Sequence, residues 1–196
     1  MPEYSITTVA RRAQIVQAAI ATIAELGYDK ASFARITERA GLSSPRLISY
    51  HFANKDDLNR QILIDIYTTA ARLLTERIEQ QDTVADRLRA YLEANLDFLR
   101  EHPREVAVLT AIGPHLRDAE GKPYTSAGAQ EGDVRVLEAL LRQGQDSGEF
   151  RDFDARAMAI MIRGAITAAV QRVGDFDVDG YKRELVSTFD RATRRS

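Results

Sequence analysis

Apolar residues return every three or four positions along nearly the whole of this chain, and nowhere does the two-residue alternation of a half-buried strand take over. From Thr8 to Leu26 the repeat is carried by Val9, Ile15, Val16, Ala19, Ile20 and Ile23, and Gly27 stands where a helix would end. Ser32 is placed to cap a second, short helix, Phe33 to Ala40, with Phe33, Ile36 and Ala40 inward and Gly41 at its end. In the run Leu42-Ser-Ser-Pro45, Ser44 is placed to cap a third helix of about Pro45 to Phe52. The proline takes the first helical position because it has no amide hydrogen to lose there. Asn54, with Asp57 three residues on, opens a long fourth helix whose stripe of Leu58, Ile62, Ile66, Leu73 and Leu74 runs towards Gln80. The same period predicts helices over Val84 to Arg100, Pro103 to about Ile112, Val134 to Gln145, Asp154 to Val173 and Asp179 to about Arg194. A loop is predicted from Asp118 to Gly132. The expectation is an all-α chain with a boundary near residues 52–56, giving a small domain, 1–54, and a larger helical one, 55–196.

Several functions are excluded by inventory. There is no cysteine, so disulfides, thiolate ligands and cysteine nucleophiles are out. His51, His102 and His115 have no metal-site spacing and there is no glycine-rich phosphate loop, so neither a metal nor another cofactor is expected. The sequence also gives little to an all-α enzyme. The first twenty residues lack the basic start, apolar run and cleavage site of a secretory signal, which points to the cytoplasm. The most apolar later stretch, Ala155 to Val173, carries Arg156, Arg163 and Arg172, so no membrane span is expected. The net charge of −2 would by itself argue against nucleic acid, but it hides a split. Residues 1–60 hold eight Lys/Arg against six Asp/Glu, and the rest nineteen against twenty-three.

Two short helices around Ile36-Thr-Glu-Arg-Ala-Gly-Leu-Ser43 have the shape of a helix-turn-helix, although a structural αα-corner has the same shape. What favours DNA is the third helix, which crowds Ser43, Ser44, Arg46, Ser49, Tyr50 and His51 into nine residues. A helix in the major groove needs hydroxyls for phosphates and base edges, Arg for the two acceptors of guanine, and one apolar side as anchor. Leu47, Ile48 and Phe52 are the expected anchor. The N-termini of the second and fourth helices offer unpaired amides to phosphates, with Ser32 and Lys55 beside them. Thr8 and Arg12 are further candidates at the start of the first helix, and Pro45 lies within the same surface.

Gly27-Tyr28, Ile36-Thr-Glu-Arg-Ala-Gly-Leu-Ser43, Ile48-Ser-Tyr-His-Phe52 and Asn54-Lys-Asp-Asp-Leu58 together resemble the DNA-binding domain of TetR-family regulators over residues 8–60. Gly144-Gln-Asp-Ser-Gly148-Glu-Phe150 resembles the link between the two helices that form the family's dimer interface. One departure is the stretch between Gly41 and Phe52, a residue longer than the commonest family spacing. The resemblance implies a homodimeric repressor of pseudo-palindromic double-stranded operator DNA, its recognition helices about 34–36 Å apart on adjacent half-sites. It also implies release by a small-molecule effector, unidentified here, that binds the C-terminal domain.

For the effector site, Tyr67, Tyr91, Asn95, Phe98, His102, Met158, Met161 and Arg163 could combine apolar walls with a few polar anchors. Arg163 interrupts an apolar helix, where it could meet an anionic ligand or an acidic residue of the partner subunit. The periodic faces of Val134, Leu137, Leu140, Leu141, Ala159, Ile162, Ile166 and Val170 suit either a four-helix dimer bundle or the chain's own core. The other reading is a helical adaptor that binds protein or ligand without DNA, favoured if the basic N-terminal face pairs internally with acids.

Overall fold

The computed structural model describes residues 6–117, 131–172 and 177–195. Among them are nine α-helices: α1 (Ile6–Leu26), α2 (Phe33–Arg39), α3 (Arg46–His51), α4 (Lys55–Glu79), α5 (Val84–Glu101), α6 (Pro103–Ile112), α7 (Glu131–Asp146), α8 (Ala155–Val170) and α9 (Val178–Thr193). A 3-10 turn, Gly113–His115, follows α6. The loop predicted from Asp118 lies outside the described residues as far as 130, and Gly132 already belongs to α7. Val173, where the eighth helix was expected to end, also lies outside them. No described helix is long and apolar enough to cross a membrane.

Local chemistry sets most of the helix ends. Gly27 and Gly41 take φ of +82° and +63°, a conformation that a side chain disfavours. The Ser32 hydroxyl accepts from the Arg35 amide at 3.4 Å, capping α2. At the start of α4 the Asp57 amide donates to Asn54 Oδ1 at 2.9 Å while the Ala53 amide donates to the Asp57 carboxylate at 3.0 Å. The start of α3 departs from expectation: the boundary residue is Pro45, which has no side-chain group to cap with, and Ser44 contributes its carbonyl to the Leu47 amide at 3.2 Å.

Packing divides the described chain into two compact units. One contains α1 to α3, α4 as far as Tyr67, α6 and the 3-10 turn; the other contains α4 from Thr68, α5 and α7 to α9. The first break between the units falls inside α4, after Tyr67.

In the first unit α1 packs on α2 and α3. Ile15, Val16, Ala19, Ile20 and Ile23 of α1 are buried, as are Ile36, Ile48, Phe52, Leu58 and Ile62. Tyr28 is gripped from several sides. The Lys55 ammonium lies 3.9 Å from its ring centroid and donates to its carbonyl at 3.0 Å, Asn59 donates to its hydroxyl at 3.0 Å, and the His115 ring stacks on it at 4.3 Å.

In the second unit α5 pairs with α9 and α7 with α8. Leu88, Leu92, Leu96 and Leu99 of α5, Leu185 and Phe189 of α9, and Met158, Ala159, Ile162 and Ile166 of α8 are all buried. Glu149, in the link from α7 to α8, accepts from the Ala85 and Val84 amides at 3.0 and 3.2 Å, and so caps α5 from a distance in sequence. Those amides, Ala85 first, hold its carboxyl below the ordinary glutamate value. Asp97 of α5 accepts from Lys182 of α9 at 2.7 Å and from Arg77 of α4 at 2.6 Å, with Arg100 at 3.1 Å. Burial alone would raise the Asp97 carboxyl, but the hydrogen bonds from Lys182 and Arg77 outweigh it and leave it below its usual value. A depressed carboxyl stabilises the fold above its unfolded value, and that contribution is lost as pH falls through the folded value. Asp97→Asn should therefore cost about 1–2 kcal/mol at neutral pH, discounted for its half-exposed partners. In urea unfolding the difference from wild type should shrink below about pH 4.

Candidate nucleic-acid interface

The third helix, α3, has six residues and faces almost entirely outward. Ile48 is fully buried and Phe52, just past the helix end, is 1% exposed; they anchor α3. Ser43, Pro45, Arg46, Ser49 and Tyr50 are exposed and Ser44 is half-buried. Tyr50 is 81% exposed, an unusual setting for a large aromatic side chain. Leu47, expected to anchor, is instead exposed at 37%. Ile48 and Phe52, four residues apart, define the inner edge of the helix, and Leu47 sits about 100° round from Ile48. It is the residue that sequence reasoning placed on the wrong side. Its signal was available in that spacing.

Other candidates are engaged within the chain. The Arg12 guanidinium donates to the His51 carbonyl, donates to Gln61 Oε1 at 2.9 Å, and lies 4.2 Å from the Phe52 ring centroid. Lys55 is held by Tyr28 as described, so a phosphate is not needed to explain its place at a helix start. Ser32 serves as the α2 cap, and Thr8 is half-buried on α1. His51 is half-buried, and its imidazole is held below the ordinary histidine value first by burial and then by the nearby charges of Arg12 and Arg11. Sequence reasoning gave Tyr28 no role beyond the resemblance, because its partners Lys55, Asn59 and His115 lie far along the chain.

Of the residues predicted for the effector site, Tyr91 and Arg163 are brought together. Arg163 donates to the Tyr91 hydroxyl at 3.0 Å and pairs with Asp133 at 2.8 Å, so an acidic residue of the same chain is its counter-ion. Burial raises the Tyr91 phenol against the opposing pull of Arg163. Asn95 donates to the Tyr91 carbonyl one turn back at 2.8 Å, and Phe98 stacks on His102 at 4.5 Å. Met158 is buried, whereas Met161 is 54% exposed and Tyr67 47% exposed. Among the described residues no group of three or more His, Asp or Glu could hold a metal ion.

The residues expected at a dimer interface are mostly core. Val134, Leu137, Leu141, Ala159, Ile162 and Ile166 are buried within the single chain, and Leu140 and Val170 are half-buried. The apolar side chains that α7 and α8 leave outside are Val136 at 71%, Ile160 at 51% and Met161 at 54% exposure.

Two short helices, α2 and α3, joined through a glycine turn, with the second of them mostly polar and exposed, have the shape of a helix-turn-helix. Residues 15–62 match the family model described as bacterial regulatory proteins, tetR family, and residues 81–171 match the tetracyclin repressor-like C-terminal domain. The chain belongs to the TetR family. It is 36% identical over 101 residues to the HTH-type transcriptional regulator BetI 1 of Chromohalobacter salexigens, across 50% of this chain and 48% of that one, about half the relative's length. It is 27% identical over 163 residues to the fatty acid metabolism regulator protein of Bacillus subtilis, across 80% of each. Two solved structures share the fold. A TetR-like transcriptional regulator from Rhodococcus sp. RHA1 superposes with a TM-score of 0.72 at 20% identity over 98% of this chain and 97% of that one. AibR in complex with isovaleryl coenzyme A and operator DNA gives 0.71 at 19% identity over 91% and 97%.

Proposed function

We propose that this chain is a cytoplasmic homodimeric repressor that binds a pseudo-palindromic operator through α3 and leaves it when a small-molecule effector occupies the C-terminal domain. The observation that carries the reading is α3 itself, a six-residue helix with two inward anchors and an outward set of Ser43, Pro45, Arg46, Ser49 and Tyr50. A helix so exposed gains little from packing, and its side chains suit base edges and phosphates. Residues 1–54 read DNA, and 55–196 supply the effector site and the dimer contact. AibR, whose fold this chain shares, is described with both an acyl coenzyme A and operator DNA, which supports small-molecule control here. Tyr91, Asn95, Phe98, His102 and Arg163 are the residues proposed to face the effector, with an anionic group competing against Asp133 for Arg163.

The partner surface we propose is the outer face of α7 and α8: Val136 and Leu140 on one helix, Ile160, Met161 and Gly164 on the other. Residues 160, 161 and 164 share one side of a helix, as do 136 and 140. Two such pairs related by a two-fold axis make a four-helix bundle.

The test is binding of the purified protein to fragments of its own genome across a range of salt, wild type against Arg46→Ala. A bidentate Arg–guanine contact is worth about 1–3 kcal/mol in each half-site, so the variant should lose at least about 30-fold in specific affinity. A selection that enriches no palindrome would sink the proposal.

A further inference from the structure

We propose that Arg12 is a positioning residue for the recognition helix, fastening the C-terminal end of α3 to α1 and α4 so that Arg46, Ser49 and Tyr50 meet DNA at a fixed angle. The inference rests on the DNA-binding reading above. One guanidinium, from the second turn of α1, serves at least three partners, on two other parts of the unit. It donates to the His51 carbonyl at the end of α3, faces the Phe52 ring at 4.2 Å, and donates to Gln61 of α4 at 2.9 Å. Gln61 is itself fixed by donating to Asp65 at 2.8 Å.

A six-residue helix leaves its last carbonyls without partners inside the helix. Here the His51 carbonyl finds a cation, the favourable sign at a helix C-terminus. The inward anchors of α3, Ile48 and Phe52, lie on one line and resist lifting, but apolar contacts are not directional and do little to stop the helix rotating about that line. Hydrogen bonds in a planar fork do resist rotation. Lysine cannot reproduce the arrangement, because it is a point charge with no plane to lie on Phe52 and no fork to span two acceptors.

The experiment compares Arg12→Lys and Arg12→Gln with wild type on an operator fragment and on unrelated DNA over a salt series. Each phosphate contact contributes about 0.9 to the slope of log affinity against log salt. The expected result is a loss of about 10-fold or more in specific affinity for both variants, with the salt slope and the affinity for unrelated DNA unchanged. Retention of specific affinity by Arg12→Lys, or a slope lower by about 0.9 per protomer in Arg12→Gln, would make Arg12 a phosphate contact and overturn the proposal. Equal thermal midpoints, or unrelated-DNA binding intact in a less stable variant, separate positioning from unfolding. The second readout needs no DNA. The His51 imidazole should titrate higher in Arg12→Gln by NMR, since a neighbouring cation has gone; an unmoved His51 overturns the clamp. If wild type enriches no operator, the DNA-binding reading fails while the His51 titration still decides the contact.

Discussion

Ile160→Asp combined with Met161→Asp should turn the protein into a monomer and weaken operator binding by at least about 100-fold. In the single chain both side chains are half exposed, so aspartate there displaces no intrachain core and the monomer should remain folded, with a midpoint lowered only by the lost linkage to dimerisation. At an isologous interface each residue lies near its own copy or the same neighbours across the axis, so two substitutions place four carboxylates together. The lost apolar burial, about 25 cal/mol per Å², then adds to like-charge repulsion in a partly dry setting. Operator affinity falls because a dimer binds its second half-site intramolecularly. Linkage of this kind multiplies affinity by about 10² to 10⁴, and two separate monomers lose all of it. Sedimentation analysis gives the mass and a gel-shift titration gives the affinity. A variant that stays dimeric with wild-type affinity would place the partner contact elsewhere than on α7 and α8.

The same two helices show where sequence reasoning succeeds and where it stops. Period alone identified α7 and α8, yet it left Leu137, Leu141, Ile162 and Ile166 open between a dimer bundle and the chain's own core, and in the single chain all four are buried. A helix with apolar residues on two sides satisfies two neighbours at once, and only packing shows which side is already covered. The same holds for the cations. Lys55 opposes the dipole at the start of α4 and so suggested a phosphate, but its partner is Tyr28, 27 residues earlier, and Arg12 reaches His51, 39 residues on. The features that were legible are local in sequence: the positive φ at Gly27 and Gly41, the Ser32 cap, and the Asn54 cap with its Asp57 partner. Chain conformation over four residues can be read from side-chain chemistry. Choosing among long-range acceptors for a charge cannot.

Gly144→Ala should destabilise the protein by about 1–3 kcal/mol, although helix propensity alone predicts a gain of about 1 kcal/mol for the same change. Gly144 lies in the last turn of α7, and a Cβ built on it would stand 2.2 Å from the Phe150 ring. Phe150 is 4% exposed and donates its amide to the Gly144 carbonyl at 2.9 Å, so the ring is held over the helix backbone and has little room to retreat. The sign of the effect separates close packing from propensity. A double-mutant cycle with Phe150→Ala isolates the contact. Phe150→Ala alone should cost about 3–5 kcal/mol for the vacated volume, and adding Gly144→Ala to it should then be neutral or stabilising. If Gly144→Ala stabilises the otherwise wild-type chain, the ring does not rest on this helix. The contact bears on function because Glu149 is the next residue back, and its carboxylate caps α5 from this link. Pushing Phe150 off Gly144 moves the α7–α8 link and the α5 cap together, and so tilts the pair of helices proposed to hold the dimer. Gly144→Ala should accordingly raise the dimer dissociation constant as well as lower the urea midpoint, while the unit containing α1 to α3 keeps its wild-type affinity for unrelated DNA.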